Sequence, residues 1–173
     1  SKAASLNGFS IGGDIRFVSV GAGALGSQTL MNLARSGYGT WTIVDHDRLM
    51  PHNIARHMLS GHFVGWKKAE AVALLANSIV GDTDPFTALS VDVLSPGNQS
   101  ADIEKAFRNA EAILDMSTSV AVARKIARDV ESDARRISLF LTPSGRSLVL
   151  LAEDKGRTIP LDALEMQYYR AVA

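Results

Sequence analysis

Three features of this sequence predict an α/β fold, an open and mostly parallel sheet with helices on both faces. Short apolar, β-branched runs alternate with longer stretches of helical periodicity, the pattern that builds parallel sheets. The run Arg16–Val20 passes straight into Gly21, Gly23 and Gly26, spaced G-x-G-x-x-G, and then into the apolar helical pattern Leu25, Leu30, Leu33, Ala34. Strand, glycine turn and helix together give that motif its meaning. Finally, Gly21, Asp45 and Asp115 each stand at the end of a predicted strand, so an open sheet brings them to one crevice beyond its carboxyl ends.

Each element follows from local signals. Ile15–Val20 is the first strand and Ala24–Ser36 the first helix, stopped by Gly37-Tyr-Gly39. Thr40–Val44, rich in β-branched and aromatic residues, is the second strand and ends in Asp45-His-Asp47. Residues 46–65 hold all four histidines with little periodicity and form a long crossover loop with room for a short helical turn; loops of that length in a compact domain are usually functional. Lys67–Val80 is helical, with Ala69, Val72, Ala73, Ala76 and Ile79 on its inner face. After a turn at Gly81–Pro85, Phe86–Leu94 alternates as a strand, Ser100–Asn109 is a short helix, and Ala112–Leu114 is a buried strand ending at Asp115. Ser117, Thr118 or Ser119 caps a helix over Val120–Ser132. Arg136–Leu141 and Ser147–Ala152 are a strand pair, and Ile159–Val172 is a closing helix with Pro160 in its first turn. Residues 1–13 read as an arm.

The 173 residues suffice for one domain with a substantial core, and no repeat divides them. Eighteen basic residues balance eighteen acidic ones, so no broad field invites a nucleic acid. No apolar run reaches the roughly 18 residues of a membrane span. Cysteine is absent, which removes disulfides, cysteine–zinc sites and a cysteine nucleophile, and fits a cytoplasmic setting. The chain starts without Met, and we expect a domain excised from a longer protein.

The candidate site residues cluster around the crevice. In the glycine turn, Gly21 permits the tight bend, Gly23 lets backbone approach a phosphate, and Gly26 lets the helix sit close to the sheet. The first N–H groups of the helix then face an anion. Asp45 is placed to accept hydrogen bonds from ribose hydroxyls. Asp47 orients the loop or binds a metal. Arg56 offers a fork for phosphate oxygens and Lys68 a mobile point charge; Asn53 bridges loop backbone and phosphate. His52, His57 and His62 recur every five residues, a poor fit to one helical face and to zinc. Asp115 either binds Mg²⁺ or caps the following helix. Trp41 and Trp66 read as packing residues, and Arg124, Lys125, Arg128, Arg135 and Arg136 as a solvated face.

Four linked motifs carry a resemblance: Val20-Gly-Ala-Gly-Ala-Leu-Gly-Ser27, Val44-Asp-His-Asp47, Pro51-His-Asn-Ile-Ala-Arg56 and Val64-Gly-Trp-Lys-Lys-Ala69. In order and spacing they resemble the adenylation domain of the ThiF/MoeB family, over roughly residues 15–125. The resemblance implies a Rossmann-like domain that binds ATP and Mg²⁺ and adenylates the C-terminal carboxylate of a ubiquitin-like or sulfur-carrier protein, commonly as a homodimer. It implies that Gly21, Gly23, Gly26 and Asp45 hold the nucleotide and that Asn53, Arg56 and Lys68 contact phosphates; we take Asp47 with the nucleotide site and expect Asp115, or Asp47, to meet the metal, because the family's metal position falls at Thr118. The chain departs from the family's D-x-x-D-N, since Thr118 stands in place of the second aspartate. Two other readings share the glycines and Asp45. An NAD-dependent oxidoreductase domain leaves Arg56 and Lys68 unexplained, and an inactive nucleotide-binding or dimerisation module is suggested by Thr118.

Overall fold

The computed structural model describes residues 15–81 and 84–172; the arm over residues 1–13 and part of the Gly81–Pro85 turn lie outside them. Six strands form one sheet: β1 (Arg16–Val20), β2 (Thr40–Val44), β3 (Phe86–Leu89), β4 (Ala112–Asp115), β5 (Arg135–Leu141) and β6 (Leu148–Ala152). Their order is β3-β2-β1-β4-β5-β6, with β5–β6 antiparallel and every other pair parallel. Five helices pack against it: α1 (Ala24–Ser36), α2 (Lys68–Val80), α3 (Ser100–Asn109), α4 (Val120–Arg128) and α5 (Leu161–Val172).

The core is split by the sheet. Leu30, Met31 and Ala34 of α1 and Ala69, Val72 and Ala76 of α2 bury one face with Trp41, Ile43 and Phe86. Ile103 and Phe107 of α3 and Val122 and Ile126 of α4 bury the other with Val18, Val20 and Ile113. Phe17, Trp41 and Phe86 stack across β1, β2 and β3 on the first face, with ring centroids 4.4 and 6.4 Å apart. At the carboxyl edge, Gly21 N–H donates to the Val44 carbonyl (2.9 Å) and Met116 N–H to that of Val20 (2.8 Å). The ends of β1, β2 and β4 are therefore locked at one level.

Several boundaries and placements differ from the sequence reading. The third strand stops at Leu89, not Leu94. Val91 N–H turns back to the Leu89 carbonyl, and Asp92 Oδ1 accepts from Leu94 N–H, which bends the chain out of the ladder. Val91 and Val93 keep their alternation by packing against the α3–α4 core without a strand partner. Helix α4 stops at Arg128, not Ser132. Its trailing carbonyls go to Arg136, whose guanidinium donates to Ile126, Val130, Ser132 and Ala134. Arg136 is thus buried, not solvated. Trp66 is half-exposed, edge-on to Phe63, whereas Trp41 is core. In the last turn of α2, Val80 packs on the core and Ile79 faces outward.

Candidate active site

The glycine turn is built by exclusion. Gly21 has φ +95°, and a Cβ there would lie 2.7 Å from the backbone nitrogen of Ser117. Only glycine fits both the angle and the approach of the β4 loop. A Cβ on Gly26 would collide with the Gly21 carbonyl, so α1 can start only where it does. Gly23 is different: a Cβ there would meet nothing. Its open side is space for something other than protein. Gly23 is also the N-cap of α1 and offers no side-chain cap, so first-turn N–H groups remain as anion donors beside that space.

Asp45 clamps the turn. Its Oδ2 accepts from Ala22 N–H at 2.7 Å and its Oδ1 from Asp47 N–H at 2.8 Å. Each oxygen keeps a lone pair for a further donor. From Asp47 the crossover segment begins, and it is more ordered than its sequence suggests. Arg48 bridges to Lys67, Leu49 exchanges backbone hydrogen bonds with Gly65 and Trp66, and short 3-10 turns form at Pro51–Asn53 and Gly61–Phe63. The closed loop brings Lys68, at the start of α2, back beside Asp47. Lys68 N–H donates to the Asp47 carbonyl (2.9 Å), and its ammonium donates to Asp47 Oδ2 at 2.7 Å. Lys68 is only 8% exposed. The ammonium's hydrogen bond and charge hold the Asp47 carboxyl below its usual range. One bond to Asp47 leaves the ammonium two further donors.

Gly21, Gly23, Asp45, Asp47, Arg56 and Lys68 line one cavity of about 560 Å³, closed on the far side by residues 116–119 after β4. Arg56 is exposed at its wall, and its guanidinium has no hydrogen-bond or ion-pair partner among the described residues. A larger cavity of about 720 Å³ between α3 and α4 carries none of the motif residues. Three candidates stand apart from the 560 Å³ cavity. Gly26 lies behind it, against Gly21. Asn53 uses its Oδ1 to accept from Met50 N–H at 3.0 Å, shaping the turn that precedes Arg56. Asp115 is buried in a neighbouring cavity beside Glu165, where its Oδ1 accepts from both the N–H (2.9 Å) and hydroxyl (2.7 Å) of Ser117. Burial pushes the Asp115 carboxyl up, outweighing those bonds, and both of them fall on Oδ1. Among the described residues, the metal-ligand types gathered together are Asp45, His46 and Asp47, with one ligand atom from each within 4.8 Å of the others.

Three further residues in this region take structural roles that the sequence reading did not assign to them. Thr118 sits on the cavity wall at φ +57°, a costly angle for a β-branched residue. Ser27, buried in α1, accepts from Met58 N–H at 3.2 Å; its place directly after Gly26 was the available signal. His57 hydrogen-bonds the glycine turn itself, with Nε2 2.7 Å from the Ala22 carbonyl.

Known proteins resemble this chain in sequence or in fold. The Cap2 protein of Enterobacter hormaechei subsp. hoffmannii (strain UCI 50), described as an ATP-dependent ubiquitin transferase-like protein, is 32% identical over 134 residues, covering 77% of this chain and 22% of its own. The adenylyltransferase and sulfurtransferase UBA4 of Yarrowia lipolytica (strain CLIB 122 / E 150) is 32% identical over 109 residues, 62% of this chain and 26% of its own. The chain thus spans about a quarter of the length of these curated relatives. Among solved structures, E. coli MccB with ATP aligns at TM-score 0.71 and 17% identity, over 91% of this chain and 46% of MccB. TcdA (CsdL) aligns at TM-score 0.59 and 24% identity, over 80% of this chain and 52% of its own. At those identities the likeness is one of fold. The sequence model of the ThiF family matches residues 13–134, most of the described sheet and the whole motif series, and the chain belongs to that family.

Proposed function

We propose that this chain binds ATP with Mg²⁺ and adenylates the C-terminal carboxylate of a small ubiquitin-like or sulfur-carrier protein. The observation that carries this reading is the company Lys68 keeps. A nearly buried ammonium with two spare donors, an unpartnered Arg56 and an uncapped helix start share one cavity. A dinucleotide site needs only the glycine turn and the ribose carboxylate. Two added cations suit a triphosphate, whose charge must be met while phosphoryl oxygens rearrange. The names of the curated relatives and the ATP bound to MccB support the nucleotide and the substrate class.

In the reaction, a carboxylate oxygen attacks the α-phosphorus and the bond to the bridging oxygen breaks, so pyrophosphate leaves with the electron pair. Nothing is left covalently on the protein. The chain's work is to position and to neutralise. The glycine turn and first N–H groups of α1 hold phosphate oxygens, Asp45 takes ribose hydroxyls, and Arg56 and Lys68 meet the charge of the departing pyrophosphate. Asn53 acts one step back by shaping the Arg56 turn. Asp47, whose Oδ1 faces His46 and is free of the lysine, would hold Mg²⁺ from within the cavity, and Asp115, whose Oδ2 is free of Ser117, would hold it only from the neighbouring one. When bound, that ion supplies further neutralisation of the phosphates. We place the domain within a longer polypeptide working as a homodimer, as the resemblance implies.

The test is ATP–pyrophosphate exchange in the presence of peptides ending in a free carboxylate from candidate carriers. Exchange that depends on the peptide and drops at least about tenfold in Lys68→Ala or Arg56→Ala supports the proposal. Exchange unaffected by either substitution overturns it. Thr118 favours a second reading, a nucleotide-binding module without turnover. ATP binding with no exchange, and exchange restored by Thr118→Asp, would establish that reading.

A further inference from the structure

Between the glycine turn and the Arg56 turn stands one side chain that the proposed chemistry does not use. His57 is 7% exposed, and both ring nitrogens are engaged. Nδ1 accepts from Leu59 N–H at 3.1 Å. That donor requires an unprotonated Nδ1, so the ring is neutral with its proton on Nε2, which donates to the Ala22 carbonyl at 2.7 Å. Ala22 is the middle residue of Gly21-Ala22-Gly23, and its own N–H is held by Asp45. In a planar trans peptide the N–H points opposite to the C=O. Pinning the Ala22 carbonyl therefore fixes the direction of the Gly23 N–H, on the residue with the open side. At the other end, His57 N–H and Arg56 N–H both donate to the Asn53 carbonyl, so the imidazole is rooted in the turn that carries the guanidinium. Met58 N–H to Ser27 Oγ is a second tie across the same seam.

We infer that His57 is a positioning residue, whose neutral Nε2–H form holds the phosphate-facing glycine turn and the Arg56 turn in register and is required for tight nucleotide binding. This rests on the nucleotide reading above. A second proton would place N–H on Nδ1 against Leu59 N–H, donor against donor, and break the seam. Burial and the Lys68 ammonium of α2 oppose that proton, while the Ala22 carbonyl and the Asp45 carboxylate at the end of β2 favour it; the balance lies below the ordinary imidazole value.

Two isosteres separate the halves of the contact. In His57→Gln the amide nitrogen stands about where Nε2 was and can donate to Ala22. In His57→Asn the oxygen stands where Nδ1 was and serves only Leu59. Titration calorimetry with ATP from pH 8 to pH 5 is the measurement. The terminal phosphate of ATP takes up a proton in the same range, so the readout is the difference between wild type and His57→Gln. Affinity should fall at least about tenfold in His57→Asn at pH 7.5, His57→Gln should recover most of it, and the extra acid loss of the wild type should vanish in His57→Gln. Wild-type affinity in His57→Asn, or an equal acid loss in His57→Gln, overturns the assignment. If the wild type binds no ATP at any pH, the nucleotide reading fails by itself. The register is then read from the Gly23 and Met58 amide resonances of the ligand-free protein. They should move together as His57 titrates, and resonances indifferent to that titration overturn the positioning role.

Discussion

At the scale of single residues, the glycine turn depends on two positions, Gly21 and Gly26, that have no room for a side chain. Gly26→Ala drives a methyl into the Gly21 carbonyl; overpacking of this kind costs about 1–3 kcal/mol, and urea unfolding should register it as a lower midpoint with an unchanged slope. Thr118 is the reverse case, a residue its backbone does not favour. Held at φ +57°, it costs about 1–3 kcal/mol in strain, and Thr118→Asn should raise the unfolding free energy by about 1 kcal/mol, read as a higher urea midpoint. A lower midpoint would mean that the Thr118 hydroxyl bond to the Ser117 carbonyl outweighs the strain. Three groups in and beside the site contribute to the pH dependence, each with its own sign. The depressed His57 imidazole makes the unfolded chain bind its proton first, so its contribution is lost as pH falls below about 6.5. The raised Asp115 carboxyl favours the folded state increasingly as pH falls through its elevated value. The depressed Asp47 carboxyl contributes above the ordinary value of 3.8 and is lost below it. Thermal melts should therefore show a decline between pH 6.5 and 5 that His57→Gln reduces. The glycines, Asp45 and Lys68 were legible in the sequence because each carries its reason in its residue type and spacing. His57 was not, because its role depends on a carbonyl 35 positions away.

At the scale of elements, strand and helix identity was legible throughout the described residues, and boundaries were lost where tertiary contacts decide them. Val91 and Val93 alternate as a strand would, yet the Asp92 turn removes them from the ladder while the core keeps them buried. Residues 129–134 could extend a helix, but Arg136 takes their carbonyls. That guanidinium joins α4 to β5, and Glu153 beside it accepts from Arg136 N–H, Arg157 Nε and Leu161 N–H, tying β6 to the start of α5. An arginine in a run of charged residues looks solvated from the sequence. Only the fold shows four carbonyls waiting for it. Arg136→Met should cost at least about 3 kcal/mol, because four carbonyls lose their donor at roughly 1–3 kcal/mol for each that stays buried, measured by urea unfolding, with Arg124→Ala, at a half-exposed ion pair to Glu165, costing under about 1 kcal/mol.

At the scale of the whole molecule, parallel strands end at one edge, and that edge collects functional groups from distant parts of the sequence. Gly21, Asp47, Arg56 and Lys68 line one cavity because β1 and β2 end together and the crossover segment closes back on Asp47. That convergence could be foreseen from topology alone. The separation of Asp115 into a neighbouring cavity could not, since it turns on which way one side chain leaves the end of β4. No helix of the described residues is long and apolar enough to cross a membrane. On the proposed function, Arg56 and Lys68 make this crevice a triphosphate site and not a dinucleotide site. Titration calorimetry of ATP against NAD, repeated on Lys68→Ala, tests it most directly. ATP should bind more tightly than NAD and lose at least about tenfold in affinity without the ammonium, while NAD binding barely changes. Tighter binding of NAD, or ATP binding indifferent to Lys68, would contradict it.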